Sequence, residues 1–198
     1  MKINNFSAGP SKIPQTVLDD LAKDIINYED LGYSVLELSH RSKIFENIIN
    51  QTKSKLKQIL DIPNNFEIIF LQGGATFQNT FIPANKPSLL ENIAFLVSGT
   101  WGKKTHEDFQ KFYGKKIQKF EIPNVNVGIS DLVSHVKLNQ SKYIYLTSNE
   151  TIEGIQIKNF KQFTEKKLII DMSSDFCSYN FDWHNISFLY AGAQKNLG

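Results

Sequence analysis

Tyr190-Ala191-Gly192-Ala193-Gln194-Lys195-Asn196-Leu197-Gly198 follows the apolar run Ile186–Tyr190. Together they read as a buried strand running into a tight turn that presents a lysine. The small residues let the backbone approach whatever lies beside it. An apolar strand behind Lys195 favours an amine partly withdrawn from water, where desolvation disfavours the ammonium form. Most lysines are merely solvated loop residues, so a second stretch is needed to weigh against that. Leu168-Ile169-Ile170-Asp171-Met172-Ser173-Ser174 supplies it: an apolar strand that ends in an aspartate. An aspartate at one strand end and a lysine after the next strand form the arrangement that a pyridoxal-phosphate (PLP) enzyme needs. Lys195 would form the Schiff base, and Asp171 would pair with the protonated pyridine nitrogen so that the ring acts as an electron sink.

Working outward, short apolar runs alternate with helical patterns. Val17, Leu18, Leu21, Ile25 and Ile26 recur at helical spacing to about residue 28, with Pro14 suited to the first turn and Gly32 ending the segment. A second amphipathic helix is predicted from Ser42 to Leu60, closed by Pro63. Strands are predicted at Phe66–Leu71, Ile93–Val97, Lys116–Phe120 (nearer an edge), Tyr143–Thr147, Leu168–Asp171 and Ser187–Tyr190. Helices are predicted at Thr76–Ile82, ended by Pro83, and at Trp101–Phe112. Short buried strands separated by helices predict an α/β fold, a mainly parallel sheet flanked by helices.

In such sheets ligands bind beyond the carboxyl ends of the strands. Polar clusters gather at those ends: Gln72-Gly73-Gly74-Ala75-Thr76, Ser98-Gly99-Thr100-Trp101, Thr147-Ser148-Asn149-Glu150-Thr151, Asp171, and Gln194-Lys195. Five at one edge point to a single site. The Gly-Gly turn with Ala75 and Thr76 suits an anion such as a phosphate, although a plain strand-to-helix turn has the same look. Trp101 is placed to stack on a flat heterocycle or, equally, to fill a core or subunit contact. Thr151 is placed to bond the cofactor's phenolic oxygen or simply to satisfy a turn. Arg41, beside His40, is placed to clamp a substrate carboxylate or to begin a helix in solvent.

Composition excludes several classes. With 41% hydrophobic and 21% charged residues the chain is globular in character, and its net charge of +2 is spread along it with no basic stripe for nucleic acid. Gly99-Thr100-Trp101-Gly102-Lys103-Lys104-Thr105 fails the nucleotide P-loop pattern at Val97 and Lys104. The one cysteine, Cys177, cannot form a disulfide within the chain and suits a reducing compartment. The four histidines show no metal-ligand spacing, and no metal is expected. Neither a signal peptide nor a membrane span is expected, so the reading is cytoplasmic.

Assembled in order, these segments resemble the phosphoserine aminotransferase family of class-V PLP enzymes. The likeness rests on Asn5-Phe6-Ser7-Ala8-Gly9-Pro10, Glu37-Leu38-Ser39-His40-Arg41-Ser42, Phe70-Leu71-Gln72-Gly73-Gly74-Ala75, Ser148-Asn149-Glu150-Thr151, Asp171-Met172-Ser173-Ser174 and Tyr190 to Gly198. It implies the aspartate-aminotransferase fold type, PLP as cofactor and a homodimer. It implies exchange of an amino group between glutamate and 3-phosphohydroxypyruvate on the route to serine, and in many bacteria a related reaction on the route to pyridoxal phosphate. Lys195 and Asp171 become the catalytic pair. Ala75, Thr76, Trp101, Thr151 and Gln194 join them around the cofactor, and Arg41 and His40 contact the substrate's acid groups. Residues 1–15 become a lead-in and 16–198 a PLP-binding large domain. Because the family's members are longer, the resemblance leads one to expect an N-terminal portion that lacks the small domain and is inactive alone. A non-catalytic remnant or split-gene half, and another class-V PLP enzyme, remain as alternatives.

Overall fold

The computed structural model describes residues 4–114, 117–121, 140–163 and 165–197. The chain divides into two compact units, one running through Ile69 and the other comprising Phe70–Leu197.

The first unit is built on two helices. Helix α1 (Gln15–Ile26) starts after Pro14, which stands just outside the helix in an extended conformation. The Pro14 carbonyl accepts from the backbone N–H groups of Val17 and Leu18. The helix stops at Ile26, capped by Asn27, well before Gly32. The Asn27 carboxamide oxygen instead accepts the Gly32 N–H at 2.7 Å and closes a separate loop. The expected apolar stripe is present as a periodicity, but Val17, Leu18, Leu21, Ile25 and Ile26 are all exposed. Helix α2 (Lys43–Ile59) begins where Ser42 accepts the Phe45 N–H at 3.2 Å, an N-cap that explains why the helix starts there. It buries Leu56, and Leu60 is buried just beyond its end.

The predicted strand Phe66–Leu71 joins no sheet among the described residues. Ile69, Phe70 and Leu71 stand exposed. An apolar β-branched run has the propensity for a strand, but a strand also needs a neighbour to receive its backbone hydrogen bonds.

The second unit opens with a 3-10 turn at Ala75–Phe77 and helix α3 (Gln78–Asn85). Pro83 does not end α3 as expected but lies inside it. Only one intrahelical bond, to the Asn79 carbonyl, is lost by its missing N–H, and the helix closes within one further turn. Strand β1 (Ile93–Val97) leads into helix α4 (Thr100–Tyr113), which ends on Gly114 in the left-handed region at φ 61°. Strand β2 (Gln118–Glu121) follows; Lys116, the start expected for it, lies outside the described residues. Strand β3 (Tyr143–Thr147) runs into a small antiparallel pair, β4 (Asn149–Glu150) with β5 (Ile155–Gln156). Strands β6 (Lys167–Asp171) and β7 (Ile186–Tyr190) complete the set.

The five long strands form one parallel sheet in the order β2-β1-β3-β6-β7. The chain steps from β1 to β2 on one side and returns to place β3 on the other. This leaves a topological switch point between the carboxyl ends of β1 and β3. Strands β1 and β3 are buried along their whole length, whereas β2 at the edge is mostly exposed. Helix α4 packs on β1 and β3. Phe95 lies at the centre of that contact, edge-on to Phe109 at 5.1 Å and tilted against Tyr145 at 4.6 Å. This packing fixes where the carboxyl ends of the central strands stand.

Candidate active site

At those strand ends lies a cavity of about 330 Å3, within the size range of small-molecule sites. Its floor is set by strand register. Thr147 on β3 pairs with Asp171 on β6, and Asp171 pairs with Tyr190 on β7. Paired residues on neighbouring parallel strands project to the same face, so three polar side chains line up in one row. All three line the cavity. The row ends where the lysine turn begins.

Asp171 is buried, with 9% of its surface exposed. Burial raises its pKa above the usual carboxylate range. Hydrogen bonds from Ser173 and Tyr190, and the Lys195 charge, pull it part of the way back. The Ser173 N–H donates to Asp171 Oδ1 at 2.8 Å. Ser173 also accepts, through its hydroxyl, the Gly192 N–H at 3.0 Å, which ties the turn before Lys195 to the aspartate's own loop. A Cβ at Gly192 would lie 2.8 Å from the Gln194 carboxamide oxygen, so a side chain there would push the Gln194 carboxamide aside.

Lys195 is half-buried. The turn that carries it lines the cavity with Gln194 and Lys195. Its Nζ stands 5.5 Å from the centre of the Trp101 ring. Trp101 is fixed at both ends: its indole Nε1–H donates to Thr151 Oγ1 at 3.1 Å, and its backbone N–H donates to Glu150 Oε2 at 2.9 Å. Thr151 does not line the cavity itself; it holds the ring that does. Its hydroxyl proton is not used in that bond.

Opposite, Gly73 and Gly74 adopt positive φ (95° and 63°) and turn the chain into α3. A side chain at Gly73 would run into the Phe77 ring. Ala75 and Thr76 thereby reach the cavity wall, as does Gln194 from the lysine turn. Thr147 Oγ1 is buried and makes no hydrogen bond of ordinary geometry.

Of the residues expected at the site, Lys195, Asp171, Trp101, Ala75, Thr76 and Gln194 line this cavity together. Arg41 and His40 belong to the other unit and are not among the lining residues. The Arg41 backbone N–H donates to Ser39 Oγ at 3.2 Å, just ahead of the Ser42 cap. Sequence reading missed Thr147, Tyr190 and Glu150. Each lay inside a quoted segment; for Thr147 and Tyr190 the missing signal was strand register, which pairs β3, β6 and β7, and for Glu150 it was the contact with the start of α4.

Glu150 is fully buried beneath the start of α4. It accepts the N–H groups of Trp101 and Gly102 at 2.9 and 2.8 Å. Glu153 accepts from the Thr100 N–H at 3.0 Å and from the Thr100 hydroxyl at 2.6 Å. Two carboxylates thus cap the positive end of a helix whose N-cap, Gly99, has no side chain to do so. Burial raises the Glu150 pKa, and the two backbone N–H bonds oppose that rise. Among the described residues no cluster of His, Cys, Asp or Glu could hold a metal.

The model of the aminotransferase class-V family matches residues 3–198. The chain belongs to the class-V aminotransferase family. It is similar to the phosphoserine aminotransferase of Lysinibacillus sphaericus, 36% identical over 98% of this chain and 54% of that protein. Among solved structures, a PLP-bound phosphoserine aminotransferase from Trichomonas vaginalis superposes with a TM-score of 0.82 at 32% identity, covering 98% of this chain and 58% of that one. The phosphoserine aminotransferase of Bacillus circulans subsp. alkalophilus does so at 0.82 and 34% identity, covering 98% and 54%. The chain therefore spans about half the length of the curated relatives it matches. Its parallel sheet flanked by helices is the fold those neighbours share. Among the described residues no helix is long and apolar enough to cross a membrane.

Proposed function

We propose that this chain binds pyridoxal phosphate in the cavity between Lys195, Trp101 and Asp171. We further propose that it belongs to a transaminase that moves an amino group between glutamate and 3-phosphohydroxypyruvate. The observation that carries the reading is the placement of the Lys195 amine over the Trp101 ring in a cavity floored by Asp171. The glycine turn that brings Ala75 and Thr76 to the wall fits a ring bearing a phosphate.

When bound, pyridoxal phosphate supplies an aldehyde for covalent linkage to an amine and a ring that accepts electrons. The chain's own residues do the rest. Lys195 offers the amine for that link and, when released, takes or returns a proton at the substrate carbon. Asp171 holds a proton on the ring nitrogen through its buried negative charge. Trp101 offers a flat apolar face, and Thr151 keeps it in place by accepting its indole N–H. Ala75, Thr76 and Gln194 receive the phosphate. Arg41, with His40, binds the substrate's acid groups, as a planar guanidinium can in a paired geometry.

The relatives' similarity supports the phosphoserine substrate class, and with it a place in serine synthesis and a homodimeric, cytoplasmic enzyme. A role in pyridoxine synthesis rests on the same likeness. Borohydride reduction after incubation with pyridoxal phosphate, followed by peptide mapping, tests the cofactor site. The label is expected on Lys195 alone and lost in Lys195→Ala; a label on another lysine overturns the assignment. Glutamate-dependent formation of phosphoserine by the complete protein tests the substrates.

A further inference from the structure

Tyr190 has no task in the reading above, yet it touches the residue on which that reading turns. It ends β7 in register with Asp171, and its hydroxyl comes close enough to the Asp171 carboxylate to draw its pKa down. On its other side the hydroxyl lies 2.9 Å from the Tyr145 hydroxyl. Tyr145 stands two residues before Thr147 on β3, so it points to the same face. Only 1% of Tyr145 is exposed. Its hydroxyl also lies 3.3 Å from Thr105 Oγ1 on α4.

The order of donation follows from proton counting. A carboxylate only accepts, so Tyr190 donates to Asp171. The Tyr190 oxygen is then left to accept from Tyr145. Burial raises the phenol pKa of both tyrosines, so both keep their protons and remain donors. The ring of Tyr190 packs on the sheet's apolar cluster beside Phe188, which lies two residues earlier on the same face. A phenylalanine would serve that packing equally well. The hydroxyl is what distinguishes the residue.

Resting on the pyridoxal-phosphate reading, we propose that Tyr190, backed by Tyr145, is a positioning residue. It fixes the plane of the Asp171 carboxylate and holds its negative charge toward the ring nitrogen of the bound cofactor. The Ser173 N–H holds Oδ1, and the Tyr190 hydroxyl, itself 2.9 Å from the Tyr145 hydroxyl, approaches the carboxylate from a second element. Networks of this kind strengthen each member bond where the dielectric is low.

The test compares two ligands on the complete apo-protein: pyridoxal phosphate, and its carbocyclic analogue in which the ring nitrogen is replaced by C–H. Dissociation constants are read from tryptophan fluorescence. Tyr190→Phe is expected to weaken pyridoxal phosphate about tenfold, the scale of one hydrogen bond to a charged group. Binding of the analogue should stay within about twofold of wild type, because it has no nitrogen for Asp171 to face. Tyr145→Phe is expected to shift the same ratio in the same direction by a smaller factor, and it decides the matter should Tyr190→Phe not fold. Equal weakening of both ligands would show a packing role and overturn the proposal, as would unchanged binding of pyridoxal phosphate. Failure of the wild-type protein to bind pyridoxal phosphate would instead overturn the parent reading, and this one with it.

Discussion

Asp171→Asn separates what Asp171 does for the protein from what it does for the cofactor. The substitution keeps size and keeps an oxygen to accept the Ser173 N–H at 2.8 Å, so charge is the main thing removed. Without cofactor, that charge is a burden. Burial raises the Asp171 pKa above its unfolded value. A group raised in this way contributes stability that is fully present below the unfolded pKa and is lost as pH rises through the folded one. The wild-type apo-protein should therefore lose stability relative to Asp171→Asn as pH climbs from about 4 toward neutrality. With pyridoxal phosphate bound the order should reverse. Removing one partner of a buried charge pair costs about 3–5 kcal/mol. Because the asparagine preserves one hydrogen bond, the lower end applies: about 3 kcal/mol, or roughly a hundredfold to two-hundredfold in cofactor affinity. Thermal melting from acid to neutral pH, with and without cofactor, measures both effects. If Asp171→Asn melts below wild type at every pH without cofactor, or binds pyridoxal phosphate within about threefold of wild type, the buried charge is not what the site uses.

Other consequences are simpler. Glu150→Ala strips the two acceptors at the start of α4 and should destabilise the protein by about 2–4 kcal/mol, read as a lowered melting temperature; a variant as stable as wild type would show that water replaces the cap. Phe95→Ala opens a cavity at the contact of α4 with the sheet and should cost about 3–5 kcal/mol in chemical denaturation. Arg41→Lys keeps the charge but loses the paired geometry, so KM for the phosphorylated oxo acid should rise while the spectrum of the bound cofactor stays unchanged. A changed spectrum with a normal KM would place Arg41 at the cofactor instead.

Much of this protein was legible in the sequence because it depends on local order. Ile93–Val97, Tyr143–Thr147 and Leu168–Asp171 are runs too apolar to lie anywhere but inside a parallel sheet, and they do. Ser42 starts α2 by its own side chain, and Gly73-Gly74 turn the chain where no other residue could do so cheaply. Trp101, Asp171, Gln194 and Lys195 needed only to end or follow strands of the parallel sheet, which gathers strand ends by construction, whereas Ala75 and Thr76 arrive on the Gly73-Gly74 turn.

What the sequence did not disclose depends on neighbours. Phe66–Leu71 has a strand's composition but finds no partner among the described residues, because pairing is a property of two segments. The stripe on α1 has a core's periodicity but lies exposed, since periodicity says which face is apolar and not what covers it. Thr151 was named for the cofactor and is found holding Trp101 across about 50 residues of chain. The alignment of Thr147, Asp171 and Tyr190 comes only from the registers of β3 with β6 and β6 with β7. A slip of one residue in either would turn every side chain to the opposite face. The sequence by itself determined which groups are present at the ends of the strands. Tertiary register decided which of them face one another, because hydrogen-bonded pairing of distant strands sets side-chain direction and local sequence does not.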